Sequence, residues 1–261
     1  MSTPTPAEEL LLSLGVTEPS EIDLEAIAWT LRVKVRYRPL DGCEARIVGS
    51  MDTAIVTVNS RCSLGRQRYS IGHELGHWKF HRGKSLACRS SDIEDFGGKG
   101  SPAEKHADRF AASLLMPRYL YLPALRAARR LNFDVIRSMA EQFKVSITAA
   151  AIRCIEIGDT PAMVVFHTPT GRSWFLRSSL IPDSWFPRKE LQPESPSMTL
   201  LFNKSATLLA PTRLSSVSAE AWFDCYNARK YEVTEQAIKI SPTEILSLVI
   251  LEDEEMLEAD S

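Results

Sequence analysis

The spacing of hydrophobic and polar residues predicts both helices and strands in the first part of the chain. Apolar residues at helical spacing predict helices at Glu8–Ser13, Leu24–Leu31, Pro123–Arg130, Asp134–Phe143 and Ile147–Ile157. Short runs rich in β-branched residues predict strands at Val33–Tyr37, Ala45–Val48 and Ala54–Asn59. This mixture indicates an α+β domain with a small N-terminal sheet, which we place at residues 1–159.

From Thr160 the pattern becomes β-rich. Strands are predicted at Ala162–His167, Ser173–Arg177, Tyr231–Ile240 and Glu244–Leu251. We therefore predict a second, β-rich domain at residues 160–251. Acidic residues dominate the last ten positions, so residues 252–261 are predicted to be an acidic tail that frays into solvent.

A helix predicted at Leu64–His81, with Ser63 as its N-cap, contains the sequence His73-Glu74-Leu75-Gly76-His77. Histidines four residues apart share one helix face, so both rings can bind one metal ion. Glu74 would lie beside that ion, within reach of a water molecule in its open position. The pattern is typical of a metal-dependent hydrolase, although a charged surface helix can also contain these five residues by chance.

The third metal ligand has to come from another segment. His81 would stand about 12 Å along the helix axis from His73, which is too far for one ion. We predict that Glu104, on a helix that begins at Ser101-Pro102, is the third ligand. Alternatively, Glu104 only completes a capping box with Ser101, and Glu94 or Asp95 is the ligand. Asp108, one turn after Glu104, is placed to accept the second ring N–H of His73.

These residues carry a resemblance to a known family. The segments Arg66–Trp78 and Glu104–Pro117 resemble the ImmA/IrrE family of zincin-like metallopeptidases. The resemblance implies a gluzincin-like domain that holds one zinc ion, or manganese in its place, and an endopeptidase in which Glu74 is the catalytic base. It also implies that the substrate is a helix-turn-helix repressor whose cleavage relieves repression in a stress or mobile-element response. The chain has His106 and Asp108 where members commonly carry glutamate and asparagine, so the surroundings of the site differ.

Three further features bear on the substrate, on DNA binding and on the second domain. We consider Tyr69, one turn before His73, as a donor to the oxyanion or the substrate, and Ala54–Asn59 as the edge strand that aligns substrate. Residues 133–157 have helix-turn-helix spacing, but the apolar start of the second helix offers few donors to bases, so direct DNA binding is not expected. By its place in the chain, the second domain resembles the GAF-type sensor domain of some relatives.

Composition limits the class of protein. The net charge of −2 disfavours nucleic-acid binding by the whole chain. Five cysteines without a paired motif are expected to be reduced thiols, and no apolar run approaches membrane-spanning length, so we expect a cytoplasmic protein. Two alternatives to proteolysis remain: a module that sequesters a repressor or toxin without cleaving it, and a DNA-binding regulator with a vestigial zincin fold.

Overall fold

The computed structural model describes residues 3–80 and 101–258. The helices of these residues are α1 (Pro6–Ser13), α2 (Leu24–Thr30), α3 (Leu64–Phe80), α4 (Pro102–Leu115), α5 (Arg118–Arg126), α6 (Phe133–Phe143), α7 (Ile147–Ile157), α8 (Pro196–Phe202) and α9 (Glu254–Glu258). The strands are β1 (Val33–Arg38), β2 (Ala45–Ser50), β3 (Thr53–Asn59), β4 (Ala162–Thr168), β5 (Gly171–Arg177), β6 (Ser215–Ser218), β7 (Glu232–Ser241) and β8 (Glu244–Ile250). His81, Glu94 and Asp95, which the sequence analysis weighed as ligands, lie outside the described residues.

The described residues form two compact units, with boundaries between Ala124 and Leu125, between Ser138 and Met139, and between Ser146 and Ile147. The first unit contains α1 to α4 and the sheet β1-β3-β2, and the second contains α7 and the sheet β5-β4-β8-β7-β6. Helix α7, which the sequence analysis grouped with the first domain, therefore lies in the second unit. The mixture of helices and sheets is the α+β class that the sequence predicts.

The first sheet places β3 in its centre. Strand β1 pairs with β3 in parallel, and β2 pairs with the other side of β3 in an antiparallel hairpin. The prediction that Ala54–Asn59 is an edge strand is therefore wrong, because both sides of its backbone are already hydrogen-bonded within the sheet. The residues that face the helices, including Val33, Ala54, Val56 and Val58, are buried.

Helices α3 and α4 pack at very short distance because α3 has glycines where the two helices meet. A Cβ atom built on Gly76 would lie 2.8 Å from the Cα atom of Ala107, and one on Gly72 would lie 3.2 Å from the Cα atom of Ala111. Trp78 of α3 packs over Gly49 of β2 and donates its indole N–H to the Leu31 carbonyl at 3.0 Å. These contacts join the two helices to each other and to the sheet.

The second unit is built on an antiparallel sheet. Its core includes the buried aromatic residues Trp185, Trp222 and Phe223. Of the helices and strands named above, three in this unit were not predicted: the four-residue strand β6, helix α8 and helix α9. Ser195-Pro196 is a helix-start signal, and Ser195 caps α8.

Two predicted segments differ from the structure. The helix expected at Pro123–Arg130 is instead α5, which begins at Arg118, where the backbone N–H donates to the Glu8 carboxylate at 2.6 Å. This carboxylate satisfies an N-terminal N–H group that has no partner within the helix. The segment expected to be an acidic tail contains α9, whose Met256 is fully buried and accepts a hydrogen bond from Trp185 at its carbonyl.

Across the described residues, the structure has no helix that is both long enough and apolar enough to span a bilayer.

We expect Gly76→Ala to destabilise the protein by about 1–3 kcal/mol, because the added methyl group overlaps the backbone of α4. Gly65→Ala is the matched control, since a Cβ atom there meets its nearest neighbour at an ordinary 3.5 Å in the same helix. Urea unfolding of the two variants measures both effects. Equal midpoints for the two variants would contradict a tight contact at Gly76.

Candidate metal centre

Two helices bring together three metal-binding side chains of the first unit. Helix α3 carries His73 and His77 four residues apart, and α4 carries Glu104 in its first turn. The close packing at Gly72 and Gly76 places the start of α4 beside the histidine face of α3. Among the described residues, His73, His77 and Glu104 are the only such group whose ligand atoms lie close enough to hold a metal ion.

The distances between the three ligand atoms fit a metal ion. The Nε2 atoms of His73 and His77 are 3.0 Å apart, and Glu104 Oε2 lies 3.1 Å from the first and 3.3 Å from the second. Ligands about 2.0–2.1 Å from a tetrahedral zinc ion stand roughly 3.3 Å from one another. The donor set of two imidazoles and one carboxylate is also one that zinc prefers. These residues therefore can hold a metal ion with a position left open.

Glu104 has two neighbours that could explain its position. Its backbone N–H donates to the Ser101 hydroxyl at 3.3 Å, so Ser101 is the N-cap of α4, as predicted. The Glu104 carboxylate, however, lies against the histidines. The close approach of His73, and then that of His77, holds the pKa of the Glu104 carboxyl below its ordinary value, in spite of its burial. The carboxylate is therefore ionised at neutral pH, which is the form that binds metal.

Asp108 contacts the other nitrogen of His73. Its Oδ1 atom lies 2.8 Å from His73 Nδ1 and accepts a hydrogen bond from the Tyr69 hydroxyl at 2.7 Å. When Nδ1 donates its proton to Asp108, Nε2 has a free lone pair that can bind metal. Sequence reasoning placed Asp108 near His73 but missed its contact with Tyr69. The available signal was that Tyr69 lies four residues before His73 and so shares its helix face.

The contact with Asp108 also bears on the role predicted for Tyr69. While the Tyr69 hydroxyl donates to Asp108, the same proton cannot stabilise an oxyanion. The role of Tyr69 as an oxyanion or substrate donor stays a prediction, and the structure instead places this residue in a chain from Tyr69 through Asp108 to His73.

Glu74 is buried at 1% exposure, next to two equally buried histidines. Burying three ionisable side chains costs free energy, and proteins tolerate that cost mainly at sites with a function. Glu74 follows His73 directly on α3, so its side chain leaves the helix beside the face that carries His73 and His77, and not on that face.

Comparison with known proteins agrees with this arrangement. The model of the IrrE N-terminal-like domain, family Peptidase M78, matches residues 30–154. This part of the chain belongs to the ImmA/IrrE family. The match includes the three-stranded sheet, α3 and α4, and therefore all the residues of the candidate metal centre.

Two further similarities extend the comparison. The chain is 26% identical over 148 residues to an uncharacterized protein, YqaB, of Bacillus subtilis, and the match covers 56% of this chain and 78% of that protein. A solved structure of a Mycobacterium tuberculosis transcriptional regulator is similar with a TM-score of 0.61 and 14% identity, covering 94% of this chain and 74% of that one. At this identity the likeness concerns the fold alone.

We expect Asp108→Ala to weaken zinc affinity by about 10–100-fold while the protein remains folded, because His73 loses the acceptor that orients its ring. Competition with a chromophoric chelator measures the affinity. Arg109→Ala, at the next and exposed position of α4, is the control and should bind zinc as the wild type does. If the two variants bind zinc equally, Asp108 does not orient His73.

Proposed function

We propose that the protein is a cytoplasmic zinc metallo-endopeptidase of the ImmA/IrrE family whose substrate is a helix-turn-helix transcriptional repressor. The observation that carries the proposal is the triangle of His73 Nε2, His77 Nε2 and Glu104 Oε2, with sides of 3.0–3.3 Å, beside the buried Glu74. A structural zinc site has four protein ligands, whereas three ligands beside a carboxylate are typical of a catalytic site.

A zinc ion held by these residues would lower the pKa of a bound water molecule toward about 7 and polarise the peptide carbonyl. The residues of the chain then have distinct tasks. Glu74 accepts the proton of the attacking water and passes it to the amine that leaves. Asp108 keeps the proton of His73 on Nδ1, so that Nε2 stays available as a ligand.

The structure changes the strand that we propose for substrate alignment. Because β3 is central, the antiparallel edge next to the motif helix is β2, which pairs only with β3 among the described residues. Its Gly49 packs against Trp78 of α3, so this strand lies next to the helix that carries His73 and His77. An extended substrate segment that adds to the edge of β2 would therefore run close to that helix.

The repressor is proposed as the substrate because of the family relationship. The structurally similar mycobacterial protein is a transcriptional regulator, which is compatible with a role in transcription for this chain. Direct DNA binding by α6 and α7 receives no support, since Ala150 and Ala151 of α7 are fully buried and cannot enter a groove. By its place in the chain, we propose a sensor role of GAF type for the β-rich unit.

The proposal predicts a separation between metal binding and cleavage. His73→Ala, His77→Ala and Glu104→Ala should each lose most bound zinc, because each removes one of three ligands. Glu74→Gln should retain zinc and lose cleavage of a co-encoded helix-turn-helix repressor by at least about 100-fold, because it removes the base but no ligand. Elemental analysis and electrophoresis of the repressor measure the two properties.

The matched control is Glu141→Gln, an exposed glutamate of α6. Full zinc content in folded Glu104→Ala would return the third ligand to Glu94 or Asp95. If wild type and Glu74→Gln act equally on the repressor by binding it, and neither cleaves it, the protein is a sequestering module and the peptidase proposal is wrong.

Tyr69→Phe distinguishes two roles for this residue. If Tyr69 holds Asp108 in place, the variant should bind zinc several-fold more weakly than the wild type, because Asp108 loses the donor at 2.7 Å. If Tyr69 donates to the oxyanion, zinc affinity should be unchanged and only the rate of cleavage should fall. We expect the first result, measured by the chelator competition used for Asp108.

A further inference from the structure

The outer face of the first sheet carries an unusual row of positive charge. The inner residues of β1, β2 and β3 are covered by helices, and the alternate positions face outward. The register places Arg36 and Arg46 on either side of Thr57, and Lys34 and Val48 on either side of Ile55. Arg38 extends the row on β1.

These cations are not neutralised by the protein itself. Within residues 3–80 and 101–258, Lys34, Arg36, Arg38 and Arg46 form no ion pair, in contrast to Arg66, which pairs with Glu44. All four are exposed. A chain with a net charge of −2 therefore concentrates uncompensated positive charge on one face of a three-stranded sheet.

An apolar groove lies at the end of the sheet where the strands meet α2, and it shares Lys34, Val48 and Ile55 with the outer face. It has a volume of about 620 Å³, and its lining includes Trp29, Val48 and Ile55. Trp29 is 74% exposed and Val48 is 69% exposed. Apolar side chains this exposed and this close together are typical of an interaction surface.

The turn beside the groove adds an independent observation. Met51 connects β2 to β3 with a φ of 52°, in the left-handed region, and is 90% exposed. Glycine or asparagine adopts this conformation at lower cost, and a large unbranched side chain gains nothing there from burial. Met51 therefore adds one more exposed apolar side chain next to Ser50, which lines the groove.

We propose that this outer face docks an acidic segment of a protein partner, in which a short apolar stretch precedes a run of glutamate and aspartate. The apolar stretch occupies the groove lined by Trp29, Val48 and Ile55, and the carboxylates pair with Arg36, Arg46 and the neighbouring cations. The outward cations of β1, Lys34, Arg36 and Arg38, are alternate residues of one strand and so lie about 6.6 Å apart. Alternate residues of an extended peptide have the same spacing. Docking does not require that the partner is cleaved, so the proposal is independent of the peptidase activity.

The groove favours a peptide over a nucleic acid. Single strands bind to basic surfaces on which several aromatic rings stack with successive bases. Here the cations of Arg36 and Arg46 flank Thr57, and Trp29 is the one aromatic residue that lines the groove, among the described residues. A largely apolar groove beside cations matches an apolar side chain beside carboxylates.

The test uses the full chain and a fluorescein-labelled peptide of about twelve residues, three apolar residues followed by glutamate and aspartate. Fluorescence anisotropy should show salt-dependent binding. The double variant Arg36→Glu, Arg46→Glu should weaken binding at least tenfold, and Val48→Ser several-fold. Arg129→Glu, at an exposed position of the second unit, is the control and should leave binding within about twofold of the wild type.

Further measurements support or overturn the proposal. A peptide with lysine in place of the acidic residues should not bind. Equal weakening by the Arg129 control would show general charge attraction and overturn the site. If labelled oligothymidylate binds more tightly than the peptide and depends on Arg36 and Arg46, the face binds nucleic acid and the proposal is wrong. Zinc content measured on every variant should equal that of the wild type, which keeps this result separate from the metal centre.

Discussion

The candidate site depends on one steric constraint, the near contact between the backbones of α3 and α4. At Gly76 there is no room for a single methyl group against Ala107. A side chain at this position would push α4 away from α3, and Glu104 and Asp108 would move with it, away from His73 and His77. The glycine within the motif is therefore a packing residue, while the residues around it carry the chemistry.

The same packing explains how the protein can bury so many ionisable groups in one place. His73, His77 and Glu74 are almost inaccessible, although each would be better solvated at the surface. Asp108 bonds one ring nitrogen of His73, and Glu104 lies opposite the other. A polar cluster of this kind is stable when its members satisfy one another or share a cation. The free-energy cost of burying these ionisable groups is consistent with the membership of this segment in a peptidase family.

Local signals in the sequence were sufficient to predict most helices and strands. Contacts between residues far apart in the sequence could not be predicted from them. The caps Asp23 and Ser101 and the alternation of β-branched residues located α2, α4 and the first three strands within about two residues. Strand order could not be predicted in this way, because the pairing of β1 with β3 depends on residues outside both strands. Helix α9 was missed because its anchor, Met256, is a single buried residue among acidic ones. The contact between Tyr69 and Asp108 appeared only in the structure, because the two residues lie on different helices.

The order β1-β3-β2 also has a consequence for how the first unit folds. Strands β2 and β3 are joined by the short turn at Met51, so their pairing closes a small loop and can form early. The parallel pairing of Val33 with Ala54 closes a longer loop that passes through β2. Because the longer loop costs more entropy to close, we expect this pairing to form after the hairpin. In refolding, changes in the hairpin turn should affect the folding rate, and changes in β1 should mainly affect the rate of unfolding.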